Sequence, residues 1–202
     1  VRGSIACPGP ETARYGSNTS TLEVRCGDHL MIFYAGTGLR YLGNELARHG
    51  PVDTDVFLTH SHFDHICGVP FFVLLFISGD QIPIWAGHLG PAKLTVKKVL
   101  EDMMVTPLFP IAPEISAADV SYNDFKAGDT LTPRPGVALR TTELNHPDNA
   151  TGYRIEFDGK SICYLTDTQH VIDQTDQKIL DLVEGTDLTI YDSTYTDKEF
   201  SA

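Results

Sequence analysis

The stretch THSHFDHICG (Thr59–Gly68) sets three histidines and an aspartate into six positions, directly behind the apolar run Val56-Phe57-Leu58. The chain has eight histidines in 202 residues, so three of them at spacing His-x-His-x-Asp-His need a reason. A polar loop is the plain reading. Half of a metal site is the other. His60 and His62 are two apart, so a loop can aim both rings at one point. Neutral imidazoles at about 2.0–2.1 Å are natural zinc ligands. Asp64 and His65 add a carboxylate and a third imidazole with a different aim. One ion cannot readily take all four groups from so short a loop, whereas two ions about 3.5–4 Å apart can. The metal reading is the stronger.

Outward from this stretch, Asp55–Thr59 reads as a buried strand that delivers the cluster at its C-terminal end. Upstream, Leu22–Cys26 alternates apolar and polar residues as a half-buried strand does. Gly27-Asp28 turns it into a second strand, His29–Tyr34. Ala35–Gly38 is a tight connection, and Leu39–His49 reads as a helix ended by Gly50-Pro51. Downstream, Val69–Ile77 reads as a buried helix; its nine residues fall far below the roughly 20 that cross a bilayer. Ile82–Ala86 is a strand whose Pro83 suggests an edge or terminal place, and Pro91–Met104 is a helix started by Pro91. Residues 105–135 are punctuated by proline and stay unassigned. Val137–Leu144, Gly152–Phe157 and Ser161–Thr166 read as strands, the last two joined by the hairpin signal Asp158-Gly159. Gln177–Glu184 reads as a short helix and Asp187–Tyr191 as a final strand. The rhythm is too irregular for a doubly wound sheet and suits a layered α/β arrangement with two sheets. Further ligands have to come from distant loops. His146 follows one strand and Asp167 ends another, where functional loops of α/β folds gather.

The set Thr59–His65, Cys67-Gly68, His146 and Asp167 resembles the metallo-β-lactamase superfamily. Within it the pattern is most similar to the ribonuclease Z/phosphodiesterase-like branch. The opening Gly3-Ser4 with Pro8-Gly9-Pro10, the segments Tyr15–Ser20 and Ala35–Gly38, and Tyr191–Thr196 add to that resemblance. It implies a single four-layer αββα sandwich over residues 1–202. It also implies His60, His62 and His146 on a first metal, Asp64 and His65 on a second, and Asp167 bridging the two. A bridging carboxylate at Asp167 favours phosphodiester, thioester or lactone hydrolysis over β-lactam opening. Two departures stand out. The family usually has aspartate at Tyr34, supporting the metal loops by hydrogen bonds that tyrosine is not expected to reproduce. A last histidine is also expected beyond Tyr191, in a Gly-His-Ser-like segment that does not occur before Ala202, which makes room for a C-terminally incomplete domain and a weak second site.

The formal charge is −12, which disfavours the broad basic surfaces that track nucleic acid. A small anionic substrate is still compatible, because bound cations make a pocket locally positive. Four cysteines without C-x-x-C pairing read as free thiols in the cytoplasm, and neither a membrane span nor a signal peptide is expected. Cys67 reads as a small buried thiol, His29, His49 and His88 as surface or packing residues, and His170 as exposed or substrate-facing. Gly36-Thr37-Gly38 is too short for a dinucleotide fingerprint. The aromatic run from Phe71 to Phe76 reads as core, with a homodimer surface as the alternative.

The resulting expectation is a hydrolase with two divalent metal ions, Zn²⁺ first and Mn²⁺ or Fe as alternatives. A metal-bridging hydroxide acts on a small phosphodiester, and Asp64 handles the proton. The rival readings are an ester, thioester, lactone or β-lactam hydrolase of the same fold, and a degenerate metal-binding member with little activity.

Overall fold

Leu22–Cys26 (β1) and His29–Phe33 (β2) form an antiparallel hairpin around Gly27, whose φ is 59°. From it the first of two sheets grows. The computed structural model describes residues 5–14, 16–171 and 173–192. The Gly3-Ser4 opening, Tyr15 and residues 193–196 fall outside them. The chain folds as two compact units, one ending at Lys126 and the other running on from Ala127.

In the first unit the sheet order is β1-β2-β3-β4-β5, with β3 at Thr54–Leu58, β4 at Gln81–Ala86 and β5 at Asp119–Asp124. Pairing is parallel from β2 onward. The central strand β3 is buried at all five positions, which is why it reads as an apolar run rather than an alternation. Leu30, Ile32, Val56, Leu58, Ile82 and Ile84 pack on one face with Leu39 and Leu46 of helix α1 (Gly38–Leu46). On the other face Phe33 stacks on Phe57 and Phe57 on Trp85, at centroid separations of 5.0 and 5.6 Å. Trp85 Nε1 donates to Asp55 Oδ1 at 2.8 Å. The residues after β3 emerge at the C-terminal edge of a parallel stretch, and the histidine cluster lies there.

Three expectations for this unit fail. Val69–Ile77 is not a helix but two 3-10 turns, Val69–Phe71 and Val73–Phe76, parted by Phe72 in an extended conformation. Pro70 sits in the first turn, where its missing N–H costs nothing; the break falls at Phe72, whose ψ of 96° is not helical. Strand β4 is interior rather than an edge, and its pairing with β3 begins at Ile84, one residue past Pro83. Pro91 does not start a helix. Helix α3 is Val96–Met103, opened by Thr95, whose hydroxyl accepts from Lys98 N at 3.2 Å, so the N-cap oxygen decides the boundary. The unassigned stretch holds β5 and the two-residue strand β6 (Thr130–Leu131).

In the second unit the order is β10-β9-β8-β7-β6, with β7 at Ala138–Leu144, β8 at Ala150–Phe157, β9 at Lys160–Leu165 and β10 at Leu188–Tyr191. Asp158 and Gly159 have φ of 48° and 71°, the left-handed pair that a two-residue hairpin needs. Strand β10 runs parallel to β9, the other neighbours antiparallel. Helix α4 (Gln177–Val183) starts at Asp176, whose carboxylate accepts from Lys178 N and Ile179 N. Its Ile179 and Leu182 pack on Leu144, Ala150, Cys163 and Leu165. Arg154 donates to the Leu182 and Glu184 carbonyls at 2.9 and 2.6 Å, satisfying acceptors that the helix end leaves open. A mixed α/β chain with two sheets agrees with the expected class. Among the described residues no helix is long and apolar enough to cross a membrane.

Candidate metal centre

His60 follows β3 directly, and His62 is the N-cap of helix α2 (Phe63–Ile66), which carries Asp64 and His65. His65 N donates to His62 O at 2.9 Å, so one helical turn folds the four groups back on each other. His60, Asp64 and His65 are buried. His60 Nε2 and His62 Nδ1 stand 3.1 Å apart, and His65 Nε2 lies 3.3 Å from Asp64 Oδ2. Thr59 Oγ1 lies 3.3 Å from Nδ1 of both His60 and His65. One hydroxyl thus holds both rings by the same nitrogen and leaves each Nε2 for another partner.

The donor set suits a metal. Two ring nitrogens 3.1 Å apart either share a hydrogen bond, one ring donating its N–H, or both turn lone pairs to the same point, where a cation can take them. Tetrahedral zinc with Zn–N of about 2.0–2.1 Å separates its ligand atoms by about 3.3–3.4 Å, close to the spacing found. Outer hydrogen bonds of the Thr59 kind are what fix the orientation of ligating imidazoles.

Tyr34 corrects an expectation. Its hydroxyl donates to Asp64 Oδ2 at 3.2 Å and lies 2.8 Å from His65 Nε2, so tyrosine does support this loop by hydrogen bonding. Its φ of 72° is unusual for a bulky residue. Tyr34 N donates to Phe57 O at 3.0 Å, and the next amide, Ala35 N, donates to His65 O at 2.9 Å. Gly68 N returns a bond to Ala35 O at 2.9 Å. A Cβ at Gly68 would run into the Gly36 and Ala35 carbonyls. Gly68 therefore serves a close backbone crossing between α2 and the Tyr34 loop, and Gly36 a second one against Thr19 and Ser20, in line with Gly36-Thr37-Gly38 not being a nucleotide fingerprint.

Neighbouring groups have quieter roles. His88 is buried, and its Nε2 lies 3.1 Å from Ser61 Oγ. Burial, with the His62 and His65 imidazoles adding to it, pushes the His88 imidazole down to about 4. Burial pushes the Cys67 thiol up, which suits an inert packing cysteine rather than a nucleophile. A cavity of about 590 Å³ beside α2 is lined by Ile5, Arg40, Tyr41, Phe63 and Phe71 among others; the candidate ligands are not among its lining residues.

In the second unit, His146 stands in the turn after β7 and Asp167 in the loop after β9. Gln169 N donates to Asn145 O, and Asn145 Nδ2 donates to Gln169 O, both at 2.7 Å. This reciprocal pair lashes the loop of His146 to that of Asp167. Asp148, Asn149 and Asp167 adopt φ of 62°, 65° and 58°, as Asn and Asp tolerate in tight loops. Burial first, then the charges of Asp167 and Asp192, pushes the Tyr164 hydroxyl up. His170 Nε2 lies 2.9 Å from Tyr191 Oη, in an exposed pair.

The sequence reading missed Thr59 as the shared support and undervalued Tyr34. Thr59 is adjacent to the cluster, and a hydroxyl next to a ligating histidine is a usable signal. The family resemblance marks position 34 as a support for this loop; what it does not show is that a tyrosine there, thirty residues before Asp64, reaches it.

The family model described as "Beta-lactamase superfamily domain" matches residues 29–201. A ribonuclease Z from Haloarcula marismortui is 29% identical over 156 residues, covering 75% of this chain and 45% of that protein. The aligned part is thus under half the length of that curated relative. Among solved structures, the short form of human tRNase Z matches with a TM-score of 0.58 at 19% identity, over 91% of this chain and 74% of that one. A diphosphatase of the PhnP family matches with a TM-score of 0.58 at 20% identity, over 85% and 59%. The family match and the shared architecture agree: the chain belongs to the beta-lactamase superfamily and has the metallo-β-lactamase fold.

Proposed function

We propose that this protein is a metal-dependent hydrolase of small phosphodiesters. The observation that carries it is the loop after β3, where His60 Nε2 and His62 Nδ1 converge to 3.1 Å and His65 Nε2 and Asp64 Oδ2 to 3.3 Å. We assign His60, His62 and His146 to one ion, Asp64 and His65 to a second, and Asp167 to both. Divalent ions held there, Zn²⁺ first on the donor chemistry, would supply Lewis acidity and an activated water at neutral pH. Asp64 takes the proton role, as a carboxylate at the edge of the site. The phosphodiester class is supported by the similarity to a ribonuclease Z and to a diphosphatase, both named for phosphoester or diphosphate chemistry. A net charge of −12 favours a small anionic substrate over a long nucleic acid. The four free cysteines support a reducing, cytoplasmic setting.

The test is turnover of bis-p-nitrophenyl phosphate, an acyl-glutathione and a lactone, side by side, on zinc-supplemented protein. Phosphodiester turnover that a chelator and Asp64→Ala both abolish is the expected result. Turnover of the thioester or lactone alone overturns the substrate class, and no turnover with metal bound marks a degenerate member. An Asp64→Ala protein that keeps its metals and full activity removes Asp64 from the chemistry.

A further inference from the structure

Tyr34, Asp64 and His65 bring three donor atoms to one buried point. The phenol oxygen lies 2.8 Å from His65 Nε2 and 3.2 Å from Asp64 Oδ2, and those two are 3.3 Å apart. Donors bound at about 2.0–2.2 Å to one ion stand about 3.3–3.6 Å apart in a tetrahedron and about 2.8–3.1 Å apart as cis octahedral neighbours. All three separations fall within or close to these ranges. We propose that Tyr34 is itself a metal ligand, completing with Asp64 and His65 an N,O,O site for a hard cation such as ferric iron. The inference rests on the metal-dependent reading above and changes the chemistry of its second ion.

Three features favour ligation over a simple hydrogen-bond chain. Thr59 engages His65 at Nδ1, so Nε2 is the nitrogen turned toward Tyr34 and Asp64. Tyr34 is buried, and its ring lies against that of His65 at a centroid separation of 3.8 Å. The left-handed backbone at residue 34 is unfavourable for a tyrosine, yet two backbone bonds on either side hold it there. An aspartate would supply a shorter arm from the same position. The phenol reaches the point where the other two donors meet.

The donor types then separate the two ions. His60, His62 and His146 offer neutral nitrogens, suited to zinc. Tyr34 and Asp64 offer anionic oxygens beside one nitrogen, which favour a harder, more highly charged ion. As the ion binds, the phenol O–H bond is replaced by an oxygen–metal bond and its proton passes to solvent, so charge and atoms balance.

The experiment supplies ferric ion to the zinc-loaded chain and reads visible absorption, resonance Raman and metal content. The expected result is a phenolate-to-iron charge-transfer band with tyrosinate ring modes in the Raman spectrum. Tyr34→Phe should lose that band, bind ferric ion at least tenfold more weakly, and keep its zinc. Iron bound without a tyrosinate signature in the unmodified protein overturns the proposal, and that measurement does not depend on how the variant folds. Persistence of the band in Tyr34→Phe also overturns it. Zinc uptake without any ferric binding overturns this inference alone, whereas failure to take up either metal overturns the metal-dependent reading with it.

Discussion

Replacing Thr59 by valine isolates the support beneath the metal loop. Valine keeps the branched shape and volume, so the buried strand end loses an oxygen and little packing. That oxygen lies 3.3 Å from Nδ1 of both His60 and His65. Without it, each buried ring loses the contact at Nδ1 that sets its rotation, and only the contacts at Nε2, to His62 and to Tyr34, stay as they were. Loss of such an outer hydrogen bond typically weakens metal binding 10- to 100-fold, or about 1.4–2.7 kcal/mol. Since one hydroxyl serves two candidate ligands, the upper end is expected. The assay is competition for zinc against a chelator of known affinity, with Thr59→Ser alongside. Serine retains the hydroxyl and should recover most of the affinity. A valine protein that binds zinc within threefold of the unmodified chain would refute the shared-support reasoning. So would equal losses in valine and serine, which would point to the lost or altered methyl group instead of the oxygen.

Gly68→Ala places a methyl against two backbone carbonyls. It should lower the unfolding free energy by about 2–4 kcal/mol in urea titration, from overpacking and strained loop bonds; Gly90→Ala, whose added methyl meets nothing within 4 Å, is the control and should stay within about 1 kcal/mol. His88 stays neutral in the folded chain down to about pH 4, whereas the unfolded chain takes up that proton near the ordinary 6.5. Stability should therefore be complete above pH 6.5 and fall as pH drops toward 4, by up to about 3 kcal/mol from this residue, and His88→Gln should flatten that part of the curve. Asp176→Ala removes the oxygen that accepts from Lys178 N and Ile179 N and should cost about 0.5–2 kcal/mol of stability, read as a shift in the urea midpoint.

How much of this molecule can be read from its linear sequence depends on whether the deciding physics is local. Strand β3 and its histidine loop are legible because burial writes an apolar run and four ligand-type side chains share six consecutive positions. The hairpin at Asp158-Gly159 is legible because left-handed backbone restricts residue choice. The failures lie where a tertiary neighbour decides. Pro83 sits in an interior strand because the pairing of β3 starts one residue later, a fact of register that no property of Pro83 reveals. Val69–Ile77 has the composition of a buried helix, but the extended backbone at Phe72 divides it into two turns.

The same distinction separates the two parts of the candidate site. His60, His62, Asp64 and His65 stand within one turn of one another, so side-chain chemistry and spacing alone propose them. Tyr34 is joined to them only because β2 and β3 are adjacent parallel strands, with Phe33 paired to Phe57, so both loops leave the same sheet edge. That adjacency brings Ala35 N to His65 O and Gly68 N to Ala35 O, and these bonds fix where the Tyr34 ring can go. A substitution at position 34 therefore changes the environment of His65 without altering any residue of the motif. The motif names the chemistry. The strand beside it decides that Tyr34 stands with Asp64 and His65 at the loop.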